Sequence, residues 1–419
     1  MHDSKAALKN LGCFARNDHD GGWLLPILQQ IMLNCFTMKL PIYLDYAATT
    51  PVDPRVAAKM SSYLSTEGHY GNPASTHAYG QAAKQAVENA RAQVAELIQA
   101  EPGEIIWTSG ATEANNLALK GATALYQRKG KHIVTLKTEH PSVLDCCQEL
   151  EKQGFSVTYL APEANGLLDL SKLAASLRED TVLVSIMHVN NEIGIIQNIH
   201  AIAQMTAARG ILFHVDAAQS AGKIPIDVRH MPIDLLSVCA HKVYGPKGIG
   251  ALYLRRKPRI RVAPLIHGGG QEQGMRSGTL PVHQIVGMGE AFALVRRHMH
   301  AEQSTIRALR DRFLQGLHQL TGLIINGDLQ QSYPGILNVC LPGTHARTLM
   351  TALPDIAFSV GSACHSKGTE PSPVLRAIGL TQELAKSAVR FSFGRFSTVE
   401  EINFAVQKIL ETVRFGLSA

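Results

Sequence analysis

Long apolar runs are missing from this 419-residue chain. The best of them, residues 23–32, is broken by Pro26, Gln29 and Gln30, and a helical bilayer span needs about 20 residues. No membrane span is expected. The charged start and small-residue cleavage site of a secretory signal are also missing. Asp3, Asp18 and Asp20 interrupt the basic character that a mitochondrial presequence needs. Cysteine is scarce and scattered: Cys13, Cys35, Cys146, Cys147, Cys239, Cys340 and Cys364. The number is odd and no CxxC pair exists, which argues against a zinc ribbon, a redox dithiol or a disulfide framework. No resident metal is expected. A long, cysteine-poor chain of this kind belongs in the cytoplasm, with its thiols reduced. Charge of one sign is lacking too, with 40 Lys and Arg against 34 Asp and Glu. Neither a Lys/Arg block nor a basic stripe with interleaved aromatics is expected to mark the surface, so direct nucleic-acid binding is not expected. A few phosphate-binding cations would account for the surplus equally well.

What is present is a folding composition, 45% hydrophobic and 18% charged, in a chain long enough for two or three domains. Residues 1–37 differ from the rest and are expected to be a loose extension, or a start placed too early, with the working protein beginning at Met38. From residue 54 onward strand-like and helical patterns alternate. Apolar residues recur at helical spacing over 87–98, and a helix opens at 114–119. Short apolar runs at 105–107, 132–136, 157–160, 182–187, 211–215 and 235–238 read as buried strands. The alternation predicts an α/β fold with a mainly parallel sheet covered on both faces, binding its ligand beyond the strands' carboxyl ends. After about residue 280 the pattern changes to a long helix over 282–320, strands near 336–340 and 389–393, and a closing helix over 399–413. These predict a smaller α/β domain. No repeat, low-complexity tract or flexible linker separates the two, so they should pack closely.

Four segments carry chemistry. Ser109-Gly-Ala-Thr-Glu-Ala-Asn115 follows a strand with a small-residue turn and a helix start, which gathers free N–H groups at one point. Alone it is equally an ordinary turn. His214-Val-Asp-Ala-Ala-Gln219 puts Asp216 at the end of a buried run, where a carboxylate needs a cationic partner: a pyridinium, an Arg or a helix N-terminus. Cys239-Ala-His-Lys-Val-Tyr-Gly-Pro-Lys-Gly248 sets Lys242 at a strand end before a Gly/Pro turn, placed to react with a carbonyl ligand. Lys247 sits within that turn and is the weaker candidate. Ser359-Val-Gly-Ser-Ala-Cys-His-Ser-Lys-Gly368 reads as a mobile loop in which His365 and Lys367 favour a Cys364 thiolate.

These segments resemble one family. With Tyr43-Leu-Asp-Tyr-Ala-Ala-Thr-Thr-Pro51, Gly71-Asn-Pro-Ala-Ser75, Thr138-Glu-His140, Met187-His-Val-Asn-Asn-Glu-Ile-Gly194, His267-Gly-Gly-Gly270, Arg276-Ser-Gly-Thr-Leu-Pro281 and Arg390-Phe-Ser-Phe-Gly-Arg395, they match in order the NifS/IscS-type cysteine desulfurases. The match runs from about Met38 to the C-terminus. It implies a fold-type I PLP-dependent transferase (PLP, pyridoxal 5′-phosphate). A large domain on a mainly parallel sheet of the seven-stranded type would span 54–296. A small α/β C-terminal domain would combine 38–53 with 297–419.

By that resemblance Lys242 is the Schiff-base lysine, Asp216 holds the ring N–H and His140 stacks on the ring and relays protons. Gln219 would bond the ring's phenolic oxygen, and Asn191 would line the cofactor. Ala111, Thr112, Cys239 and His241 would cradle the phosphate, joined by Thr279 from a partner subunit of a homodimer. Asn72 and Arg390 would clamp the carboxylate of L-cysteine, and Cys364 would take its sulfur, with a transient ligand role toward an iron–sulfur cluster. An iron–sulfur scaffold protein and other sulfur acceptors are the implied partners. Two positions depart from the family: Cys239 stands where Ser is usual, and Ala240 where Gly is usual. The tail that helps dock the scaffold is short, the chain closing at Ala419. A selenocysteine lyase or cysteine-sulfinate desulfinase is the alternative on the same scaffold. Cys364 argues against a plain aminotransferase, and Lys242 with Cys364 against an idle binding subunit.

Overall fold

The apolar runs predicted from the sequence form six strands of one seven-stranded sheet, both edges included. The computed structural model describes residues 39–341, 343–360 and 371–415, so the extension at 1–37 and Cys364 lie outside it. The strands are β1 (Ile42–Tyr43), β2 (Ile105–Thr108), β3 (His132–Leu136), β4 (Ser156–Leu160), β5 (Thr181–Met187), β6 (Leu212–Asp216), β7 (Leu235–Cys239) and β8 (Gly250–Leu254). Five more follow: β9 (Ile324–Ile325), β10 (Ile336–Cys340), β11 (Ile356–Ala357), β12 (Ser359–Val360) and β13 (Ala388–Ser392). Six helices bear on the site: α1 (Ala78–Leu97), α2 (Ala111–Tyr126), α3 (Pro141–Lys152), α4 (Ile199–Ala207), α5 (Val282–Leu317) and α6 (Val399–Phe415).

The large sheet runs in the order β2-β8-β7-β6-β5-β3-β4. Only β8 is antiparallel to its neighbours. Alternate residues of each strand face opposite ways. Val184, Ile186, Phe213, Val215, Leu236 and Val238 join a core with α1, α4 and α5, whereas Leu183, Leu212 and Leu235 join another with α2 and α3. Both faces are covered, which is why β5, β6 and β7 are apolar nearly throughout and wholly buried. One polar cross-link runs through them. His214, fully buried, lies 2.8 Å from Ser185 Oγ through Nδ1 and 3.0 Å from Ser237 Oγ through Nε2. Burial pushes its pKa down to about 4, so the ring is neutral and ties three strands together just below Asp216.

A second sheet, β12-β13-β10-β9, is antiparallel, and β1 pairs in parallel with β11. Asp45 bridges to Ser392, so the chain near residues 42–45 is built into the C-terminal region. Helix α5, predicted over 282–320, ends at Leu317; its 36 residues make it about 54 Å long. Its first half packs Ile285, Met288 and Phe292 into the large sheet's core. Its second half brings Phe313 within 4.8 Å of the Phe391 ring and 5.4 Å of the Phe393 ring. No helix among the described residues is long and apolar enough to cross a membrane.

Candidate active site

Strands β2, β5, β6 and β7 all end at the same edge of the sheet, and a cavity of about 580 Å³ lies there. This is where an open α/β sheet places its ligand. Ten of the predicted residues line it together: Ala111, Thr112, His140, Asn191, Asp216, Gln219, Cys239, His241, Lys242 and Arg390.

At one end the chain leaves β2 and enters α2 through Gly110, which supplies no side-chain cap. The first N–H groups of a helix lack intrahelical partners, so 110–112 present donors and the positive end of the helix dipole. Residues 109–113 line the cavity. Gly250 on β8 closes from behind: a Cβ there would lie 2.7 Å from Gly110 Cα. The arrangement suits a phosphate.

At the other end Asp216 is 4% exposed and makes no salt bridge with any described residue. Its Oδ1 accepts from Ala218 N at 2.9 Å and its Oδ2 from Asn115 Nδ2 at 2.8 Å. A buried carboxylate left with neutral donors is the partner that a pyridinium N–H requires. Of the alternatives the sequence left open beside the pyridinium, no Arg among the described residues fills the place, and the partners are Asn115 Nδ2 and Ala218 N.

The same Asn115 Nδ2 donates to Ser142 Oγ at 2.8 Å, and Ser142 Oγ lies 2.8 Å from His140 Nδ1. His140 is the N-cap of α3, ahead of Pro141 at the first helical position, and its Nδ1 accepts from Ser142 N at 3.1 Å. That bond fixes the tautomer. A nitrogen that accepts carries no proton, so in the neutral ring the proton sits on Nε2. Burial, chiefly, lowers the pKa of His140 and keeps the ring neutral. The capping geometry that starts a helix thus also sets the imidazole's protonation.

Lys242 follows β7 in a tight turn, where Val243 N and Gly245 N both donate to Ala240 O. Its Nζ donates to the carbonyls of Ala47 and Ala48. The segment 47–53 buttresses this turn: Thr50 N donates to His241 O, and Tyr244 N to Thr50 Oγ1 at 2.7 Å. Tyr244 sits at φ 64°, strained for a non-glycine residue, under the Arg395 guanidinium 4.1 Å from its ring centroid. Burial pushes His241 down to about 4 and the Cys239 thiol up to about 11, so neither is charged near neutrality. Cys146 is likewise pushed up to about 11, and Cys147 and Cys340 are raised, all chiefly by burial. None of the described cysteines suits a nucleophile.

Arg390, on β13, donates from Nη1 to Asn191 O at 2.7 Å and from Nη2 to Asp45 Oδ1 at 2.8 Å and Ser359 Oγ at 3.1 Å. Its Nε is buried with no partner among the described residues. Asn72 is not brought to it. Instead the Asn72 Oδ1 accepts from Ala74 N at 3.0 Å, a local turn in the Asn-Pro-Ala segment. Asn72 lines a separate cavity of about 450 Å³ with Thr279, Arg91 and Glu272. Asn72 and Arg390, expected from the sequence to clamp one carboxylate, thus line different cavities. Lys247, the weaker lysine candidate, does line the main cavity. Asn115 and Ser142 are site residues that sequence reasoning missed; a buried Asn within an apolar helix face was the available sign.

A lysine amine, a buried carboxylate and an uncapped helix start around one cavity, at the carboxyl edge of a mainly parallel sheet, define a fold-type I PLP enzyme. The aminotransferase class-V family matches residues 42–404. The chain is 58% identical over 377 residues to the cysteine desulfurase IscS of Klebsiella pneumoniae subsp. pneumoniae, covering 90% of this chain and 93% of that one. It is 60% identical over 373 residues to the cysteine desulfurase IscS of Vibrio atlanticus, covering 89% and 92%. Among solved structures, a NifS-like protein superposes with a TM-score of 0.84 at 36% identity, covering 90% of this chain and all of that one. SspA in complex with cysteine gives 0.77 at 38%, covering 85% and 100%. The chain belongs to the class-V aminotransferase family, among its NifS/IscS-type cysteine desulfurases, and its cofactor is PLP.

Proposed function

We propose that this enzyme converts L-cysteine to L-alanine and passes the sulfur on as a persulfide of Cys364. The observation that carries the reading is one cavity holding the Lys242 amine, the Asp216 carboxylate bonded to the neutral donors Asn115 and Ala218, and the helix start at Gly110. PLP, when bound, supplies an electron sink joined to the substrate's amine. Asp216 holds the ring nitrogen's proton, oriented by Asn115 and Ala218. The N–H groups at 110–112, with His241, hold the phosphate, and Cys239 lies beside them as a neutral thiol. Lys242 would hold the cofactor through its amine, and the same amine would take the substrate's α-proton. Neutral His140, with its proton on Nε2, offers that N–H as a donor to the bound groups while Ser142 N–H holds Nδ1.

Arg390 orients the substrate carboxylate, with Nε the donor that Asn191, Asp45 and Ser359 leave over. Cys364 thiolate then attacks the substrate's sulfur. An S–S bond forms as the Cβ–S bond breaks, the electron pair passes to the carbon skeleton, and protonation releases alanine. Acceptors for iron–sulfur cluster assembly and other thiolation routes would take the sulfur.

We read residues 54–296 as the large domain and 38–53 with 297–419 as the small one, a partition supported by the β1–β11 pairing. The protein works as a homodimer in the cytoplasm, with Thr279 serving the partner's site. Alanine and sulfide released from cysteine, measured with and without reductant, test the reading. Stoichiometric alanine with reductant-dependent sulfide is expected. Turnover of selenocysteine or cysteine sulfinate with none of cysteine would overturn it.

A further inference from the structure

Behind the cavity lies a second lysine that the proposed chemistry leaves without a task. Lys223 follows Gln219 by four residues in a turn, and its Nζ donates to Gln219 Oε1 at 2.7 Å. Its other face lies 5.5 Å from the ring centroid of Tyr333, itself 5% exposed. Lys223 and Lys242 line a common small cavity of about 20 Å³. Gln219 is 4% exposed, lines the main cavity, and donates from Nε2 to Ala47 O at 2.8 Å. That same carbonyl accepts from Lys242.

A glutamine amide has two nearly isosteric orientations, and its neighbours decide between them. Here both neighbours act in one sense. Ala47 O can only accept, and an ammonium can only donate. Turning the amide over would set Oε1 against Ala47 O and the amide N–H groups against the amine, so two contacts would become repulsive at once. The other Nε2–H has no partner among the described residues and is the donor left for a ligand in the cavity.

We propose that Lys223 is a positioning residue, which locks the Gln219 amide so that it meets the cofactor's ring oxygen as a donor. Burial, and then the charge of Lys242, push the Lys223 pKa down to about 7. The amine remains a donor in either state. The inference rests on the cofactor reading of the cavity and adds to it a residue whose side chain contacts Gln219 and Tyr333, with no cofactor contact assigned to it.

The test is the pH midpoint of the visible absorbance of the lysine-linked cofactor, with PLP titration of apoenzyme beside it. A donor on the ring oxygen withdraws electron density and lowers that midpoint. In Lys223→Met the amide loses its lock, and a cation beside Lys242 is lost in the same sense. The midpoint should rise by about 0.7 unit and PLP binding weaken about fivefold, the worth of one hydrogen bond. Lys223→Arg, which keeps a donating cation, should recover more than half of that shift. In a Gln219→Leu background the Lys223→Met shift should shrink to less than half. An unchanged midpoint in Lys223→Met, equal shifts for Met and Arg, or a full shift in the Gln219→Leu background would overturn the proposal. A wild-type protein with no visible band on adding PLP would instead overturn the cofactor reading itself, so the two failures are distinct.

Discussion

Replacing Asn115 by Leu removes one side-chain amide and leaves two buried acceptors short of a donor. Asn115 is fully buried, and its Nδ2 bonds Asp216 Oδ2 and Ser142 Oγ, each at 2.8 Å. The bond to the Asp216 carboxylate is charge-assisted and contributes about 1.5–3 kcal/mol, and the one to Ser142 about 1 kcal/mol. Asn115 Oδ1 has no partner among the described residues, so removing it recovers part of a desolvation cost of about 1–3 kcal/mol. The net loss should be about 1–3 kcal/mol in the apoenzyme, read from denaturant midpoints. With PLP bound, a ring N–H against Asp216 would stabilise the carboxylate, so the loss should be smaller. His140 also loses the anchor that holds Ser142, so the turnover number should fall more than KM rises. Apo stability within 0.5 kcal/mol of wild type would refute the network. So would a larger loss with PLP than without.

Further outcomes follow from the same geometry. Lys242→Ala should abolish the visible absorbance of bound PLP and all turnover, whereas Lys247→Ala should keep the absorbance; loss of the band in the Lys247 protein would reverse the assignment. Cys239→Ser should bind PLP about fivefold more tightly on titration of the apoenzyme, because a hydroxyl donates to a phosphate better than a thiol does. Equal or weaker binding would mean that residue 239 does not donate to it. His188 and His214 are buried and neutral, each pushed down to about 4 from 6.5. Below pH 6.5 the unfolded chain binds protons there that the folded protein refuses. Stability should therefore fall by about 3 kcal/mol per histidine as pH drops from 6.5 to 4. Denaturant midpoints flat across that range would contradict neutral rings.

Much of this architecture was legible because the reactive residues sit at strand ends. Asp216, Lys242 and the turn after Thr108 each follow a short buried run, and a parallel sheet brings such ends to one edge. Strand β8 escaped notice: glycines precede Ala251-Leu-Tyr-Leu254, and its direction reverses against the alternation. The network from His140 through Ser142 and Asn115 to Asp216 was not legible. Its links join residues up to 101 positions apart, and local periodicity carries no sign of them. The placement of Asn72 was not legible either. Its motif was recognised, but the Asn-Pro-Ala turn holds its side chain on the backbone, in the other cavity. The cations of 255–261 (Arg255, Arg256, Lys257, Arg259 and Arg261) are a Lys/Arg block that the sequence reading denied, since overall charge balance hides a short cluster.

The central claim is that sulfur leaves cysteine onto one thiol of this chain. The four described cysteines, Cys146, Cys147, Cys239 and Cys340, are buried. The direct test is mass spectrometry of peptides after brief treatment of the PLP-loaded protein with cysteine. One additional sulfur on the peptide containing Cys364, absent from Cys364→Ser although that variant still binds PLP, is the predicted result. The sulfur appearing instead on Cys146, Cys147 or Cys340, or alanine forming unabated in Cys364→Ser, would contradict it.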